Sequence, residues 1–179
     1  MLPMLKKIVA EKGICCIEQM KDVVKDFVGF SQCASYNRNT EYTGIYSDDI
    51  IHFKNSKVRI YHSVFFGQVE IDAEEIDLYD CIFFGCLMIK SANVKLTITA
   101  CNFSGVFFDK SNIELVLSRA RFYRLQIDEC MIGVEKYDDD ISIDKLSDKN
   151  TKYLNHQLYG GKASPFYGPR DEHWFFEFF

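Results

Sequence analysis

KVRIYHSVFFGQVEIDAE (residues 57–74), EIDLYDCIFFGCLMIKSA (75–92), NVKLTITACNFSGVFFDKS (93–111) and NIELVLSRARFYRLQIDEC (112–130) are four versions of one pattern. Set under one another they align six apolar columns. These are Val58/Ile76/Val94/Ile113, Ile60/Leu78/Leu96/Leu115, Val64/Ile82/Cys101/Ala120, Phe66/Phe84/Phe103/Phe122, Val69/Leu87/Val106/Leu125 and Ile71/Ile89/Phe108/Ile127. A fixed period of this kind dictates architecture before any local reading does.

The columns fall in pairs two residues apart, which puts both members on one face of a strand. Each version therefore reads as three short strands joined by corners. A rung that closes in 18 or 19 residues and repeats is a coil of a parallel solenoid, whose apolar columns stack inside about 4.8 Å apart. A helical stripe does not produce this spacing. A meander needs hairpin dipeptides such as Asn-Gly or Asp-Gly, and residues 57–130 contain none. Ile51 and Phe53 extend the pattern upstream, and Ile132 with Val134, then Ile141 with Ile143, extend it downstream. Arg59, Asp77, Lys95 and Glu114 form an outward column of alternating sign.

The expected fold is all-β with a helical cap. It is a single-stranded, three-sided parallel β-helix of about five coils spanning residues 45–143. Residues 1–44 supply an amphipathic helix and a connector. In ICCIEQMKDVVKDFV (14–28), Ile17, Met20, Val24, Phe27 and Val28 share one face, suited to covering the N-terminal end of the coil. Residues 144–179 are expected to hold a short helix within Lys149 to Tyr159, stopped by Gly160-Gly161, and then an aromatic tail.

Cys101-Asn102-Phe103-Ser104-Gly105 resembles one unit of a pentapeptide-repeat protein, and Ser111 to Leu115 and Ala120 to Arg124 match that unit in part. The coil length and three-sided shape are closer to bactofilins, bacterial proteins that polymerise through short β-helices. Gly67 to Leu78, GQVEIDAEEIDL, is similar in texture to a bactofilin coil. The bactofilin resemblance implies self-assembly as an alternative function. Neither resemblance transfers a catalytic residue.

A net charge of −5 disfavours generic nucleic-acid binding, which wants a basic stripe. No apolar run is long enough for a membrane span, and MLPMLKKIVAEKG does not read as a secretion signal. Seven cysteines without a C-x-x-C pair point to a reducing, cytoplasmic compartment rather than to zinc or redox chemistry.

No residue set is assigned to catalysis, to a cofactor or to a metal. His62 is expected to stack on Asp80 as a ladder contact. The outward column Asp72, Lys90, Asp109 and Asp128 is the one carboxylate-rich face on which a carbohydrate-active enzyme would draw, and it also reads as turn chemistry. The expected function is a non-enzymatic protein–protein interaction module of inhibitor, immunity-type, adaptor or effector kind. Its partner-binding candidates are an outer aromatic wall of Tyr61, Phe65, Tyr79, Phe83, Met88 and Phe107, and the tail residues Trp174, Phe175, Phe176, Phe178 and Phe179. The partner is another protein, with a second copy of the chain as the alternative.

Overall fold

A computed structural model describes residues 2–14, 16–25, 31–32, 40–138 and 140–159. Two helices come first, α1 (Leu2–Lys12) and α2 (Ile17–Lys25), followed by β1 (Ser31–Gln32). The coil then starts with β2 (Glu41–Thr43), β3 (Ile45–Ser47) and β4 (Ile51–Lys54). Its second turn is β5 (Lys57–Tyr61), β6 (Val64–Phe65) and β7 (Val69–Asp72). Later turns are β8 (Glu75–Tyr79) with β9 (Ile82–Ile89), β10 (Asn93–Thr99) with β11 (Asn102–Asp109), and β12 (Asn112–Ser118) with β13 (Arg121–Asp128). The last is β14 (Met131–Tyr137) with β15 (Ser142–Lys149), and β16 (Lys152–Tyr153) begins another.

Every strand pairing among the described residues is parallel. One sheet runs β2-β5-β8-β10-β12-β14-β16, and the other runs β1-β3-β6-β9-β11-β13-β15 with β4 and β7 joined to it through β9. The chain is therefore a parallel β-solenoid of about six turns among the described residues, slightly longer than the five expected. It continues past Ile143 because β15 and β16 pair on β13 and β14.

From β9 onward the second and third strands of a turn run on as one element, yet the corner between them survives. Phe103 and Val106 both point inward, as do Phe122 and Leu125, so two successive residues, Ser104-Gly105 and Tyr123-Arg124, separate the inward ones. Strict alternation breaks there, and the third side is kept.

Two columns align as expected, Val69/Leu87/Val106/Leu125 and Ile71/Ile89/Phe108/Ile127, together with the extensions Ile51/Phe53 and Ile132/Val134. The first two columns slip. Val58 sits on Ile76 and Ile60 on Leu78, but Ile76 then meets Leu96 and Leu78 meets Ile98. Val94 enters as an extra inward residue stacked on Ile113. A slip of two preserves which face each side chain takes, so all of them remain buried. The same slip sets Lys95 beside Glu75 instead of Asp77. The alternating-charge column therefore holds only for its pairs Arg59/Asp77 and Lys95/Glu114.

The phenylalanine column also needs correction. The interior ladder runs Phe65, Phe83, Phe103, Phe122, with ring centroids 4.9, 4.9 and 5.0 Å apart and planes within 22°. Phe66 and Phe84 stack on each other outside the coil, 4.6 Å apart and 4° from parallel. The reason lies one corner earlier. His62, Asp80, Ala100 and Arg119 all take the left-handed conformation, at φ 50–55°. That corner turns the next side chain inward, and each next residue is small: Ser63, Cys81, Cys101 and Ala120, all fully buried. Two residues further on comes the inward phenylalanine. Val64, Phe66, Ile82 and Phe84 are left facing out.

That outer face carries α1 and α2. Leu5, Val9, Ile14, Met20 and Val24 pack on Tyr46, Val64, Ile82 and Phe84, forming a second core separate from the solenoid interior. Lys21 Nζ lies 5.5 Å above the Phe66 ring. The helices thus cover the side of the first turns rather than their end, because four large apolar side chains there need burial at about 25 cal/mol per Å². Phe27 and Val28, expected on the same helix face, lie outside the described residues.

The short helix expected from residue 149 is also corrected. Asn150 makes a left-handed corner, Lys152 and Tyr153 join the ladder, and residues 154–159 are irregular. The Asn155 side chain then completes the edge: its Oδ1 accepts from the Val134 N–H and its Nδ2 donates to the Val134 carbonyl, both at 2.8 Å. Leu158, 1 % exposed, joins the interior. No helix among the described residues is long and apolar enough to cross a membrane.

Candidate functional site

The outer aromatic wall does not exist as one surface. Phe65 and Phe83 are fully buried in the interior ladder, for the corner reason given above. Tyr61 and Tyr79 do share an outer column, with ring centroids 6.5 Å apart, and Tyr79 is 41 % exposed. Met88 and Phe107 are cross-strand partners, both half-buried, on a different side. Their column is mixed, since Glu70 pairs with Met88 and Gln126 with Phe107. Trp174, Phe175, Phe176, Phe178 and Phe179 lie outside the described residues.

The His62–Asp80 contact is present, with Nδ1 2.9 Å from Oδ2. The imidazole also stands T-shaped to the Tyr79 ring, at 5.6 Å between centroids. Both residues are left-handed corners, and the contact joins one corner to the next.

In the carboxylate column Asp72 and Asp128 hold corners, although Asp128 Oδ1 is buried without a hydrogen-bond partner among the described residues. Asp72 lies 3.4 Å from Lys54 Nζ and accepts from Ser91 Oγ at 3.3 Å. Asp109 and Asp128 are register partners. The Asp109 carbonyl accepts from Ser111 Oγ, and Asp128 Oδ2 accepts from Gln126 Nε2 at 2.7 Å. Lys90 follows Ile89, which pairs with both Ile71 and Phe108, so the lysine stands between Asp72 and Asp109 in the column.

Sequence reasoning missed one concave feature of the described residues. An open groove of about 930 Å³ runs along the coil axis, from Asn55 through Glu74, Asn93 and Asn112 to Gly133 and Leu154. Its origin is the two-residue slip. β10 begins two residues earlier than its neighbour β8, and β12 begins level with β10, so the corner leading into them is two residues longer. The step leaves a trough beside Ala73 and Ser91. Small side chains make that corner tight: Ser91 Oγ accepts from the Ala73 N–H at 2.6 Å, and Ser111 Oγ donates to the Ser91 carbonyl at 2.8 Å.

Asn112 Nδ2 donates to Asn93 Oδ1 at 2.9 Å, so two side-chain amides are chained along the groove. Lys95 Nζ reaches Glu135 at 3.6 Å. Glu74 and Glu114 are exposed and make no ion pair among the described residues. Met131 and Leu154, 36 % and 57 % exposed, stand at the far end. The signal for the groove was in the sequence: Asn93 and Asn112 open two successive versions of the repeat, where Lys57 and Glu75 open the earlier ones. The lengthening of the repeat was visible. Its consequence for the corner was not.

Among the described residues no group of three or more His, Cys, Asp or Glu is arranged to hold a metal ion. Burial pushes the Cys101 thiol well up from its ordinary range, with the neighbouring Cys81 thiol adding to the effect, so it stays protonated inside the coil. No protein-family model, curated protein or solved structure matches this chain.

Proposed function

We propose that this chain is a non-enzymatic interaction module that docks another protein along the axial groove. One observation carries the reading: a trough crosses successive turns from Lys54 to Leu154, and among the described residues none of α1 or α2 lines it. A rigid solenoid offers such a surface without conformational change, because each coil is held by backbone ladders above and below. The tyrosine pair Tyr61/Tyr79 extends the candidate surface at another corner, as an aromatic contact of the kind that anchors interfaces. Cys16, Cys81, Cys86, Cys101 and Cys130 are free thiols, which supports a reducing, cytoplasmic compartment.

The test is site-specific photo-cross-linking of the full chain in its own cells, with a benzophenone side chain at position 93 or, as control, at position 121. A cross-link from 93 to one identified polypeptide, absent from 121, is the expected result. Cross-links only to further copies of the chain would favour self-assembly. Failure to cross-link any protein, alongside binding of a sugar chain, would overturn the reading.

A further inference from the structure

We infer that the groove takes an extended, cationic segment of the partner polypeptide, with an apolar side chain at its Leu154 end; this rests on the protein-binding reading above. Three properties of the trough select that ligand.

The first is length. Lys54 to Ser56, Asp72 to Glu74, Ser91 to Lys95, Asn112 to Glu114, Met131 to Gly133 and Leu154 are six successive levels of the coil. At about 4.8 Å per level they span roughly 24 Å, the reach of about seven residues of extended chain. The chained amides of Asn93 and Asn112 lie along this path, and amide side chains match the peptide groups of such a segment.

The second is charge. Lys54 is matched by Asp72 and Lys95 by Glu135. Glu74 and Glu114 remain without an ion pair among the described residues. In the strand register Lys95 lies between Glu75 on one level and Glu114 on the other, so the two unmatched carboxylates are two levels apart. That is about 10 Å, or about three residues of an extended chain. A net charge of −5 on the whole chain adds to the attraction. An anionic polysaccharide or a nucleic acid would be repelled at both points.

The third is the apolar end. Met131 and Leu154 are exposed next to Gly133, which has no side chain to fill the space; a Cβ there would lie 3.6 Å from Leu154 Cδ1. The order along the groove is thus carboxylate, carboxylate, apolar step.

The test uses fluorescein-labelled heptapeptides titrated against the full chain by fluorescence anisotropy. The probes are Lys-Ser-Ser-Lys-Ser-Ser-Leu, its reversed sequence, and the version with Glu in place of Lys. One of the two lysine peptides is expected to bind and to weaken as salt is raised. The double variant Glu74→Gln/Glu114→Gln is expected to bind it about tenfold less tightly and to lose most of the salt dependence. Leu154→Ser is expected to weaken binding while leaving the salt dependence in place. Equal binding of the Glu peptide, an unchanged affinity in the double variant, or no binding by any probe would overturn the inference. So would binding that appears only once residues 160–179 are removed, which would assign the groove to the chain's own end. If no heptapeptide binds while position 93 still cross-links to a partner, the cationic ligand falls and the interaction module stands. Loss of both removes both.

Discussion

Phe83 and Phe84 are neighbours in the chain and belong to two different cores. The Phe83 ring lies 4.9 Å from Phe103 inside the coil, and the Phe84 ring lies 4.6 Å from Phe66 beneath the N-terminal helices. Replacing each by alanine separates the two cores. Phe83→Ala is expected to lower global stability by about 3–5 kcal/mol, since it opens a cavity in a column with no slack. Phe84→Ala is expected to release α1 and α2 while the coil stays folded. Limited proteolysis read alongside thermal melting distinguishes the outcomes, and the same effect from both variants would contradict the two-core arrangement.

Gly67 and Gly85 sit at one corner with their backbones in close approach. A Cβ on Gly85 would collide with the Gly67 carbonyl oxygen, and one on Gly67 with the Asp49 carbonyl. Backbone cannot move aside as a side chain can. Gly85→Ala is expected to destabilise by about 1–3 kcal/mol or more. Gly133→Ala, where the added carbon meets only Leu154, is expected to stay within about 0.5 kcal/mol. Urea titration of both variants is the measurement.

Asn155 ends the ladder by hydrogen-bonding both backbone groups of Val134. Asn155→Ala leaves an N–H and a carbonyl of β14 without their partner and is expected to remove about 1–2 kcal/mol. Amide exchange at Val134 is expected to quicken more than at Leu115, one coil further in.

Burial raises the Asp144 carboxyl above its ordinary value of 3.8, against the smaller opposing effects of Ser142, Lys145 and Arg121. The folded state therefore binds the proton more readily than the unfolded chain. Its stabilising contribution is complete below the ordinary value and is lost as pH rises through the raised one. Asp144→Asn is expected to melt higher than the parent at neutral pH, with the difference shrinking toward pH 3. A difference that grows on acidification would reverse the assignment.

Cys81 and Cys101 sit in consecutive positions of one inward column, each donating its thiol to a backbone carbonyl. Both are expected to resist alkylation by iodoacetamide in the folded chain and to react fully in urea, whereas Cys86, which is half-buried, reacts before either. Mass mapping of the modified peptides reads this directly.

The sequence alone determined that the chain coils, because only a solenoid brings apolar pairs two residues apart back into alignment every 18 or 19 residues. It also determined the third side, where Val69/Ile71 and their equivalents have no competing neighbours. Only the tertiary structure decided which phenylalanine enters. In SVFFG and CIFFG both faces are apolar, so alternation cannot say which is inside. The left-handed corner and the small residue after it break the tie, and the choice is stabilised by the two N-terminal helices packing on the face left over. The groove belongs to the same category. A two-residue slip leaves every inside position inside, so it is silent in the hydrophobic pattern, yet it lengthens a corner that lines the trough.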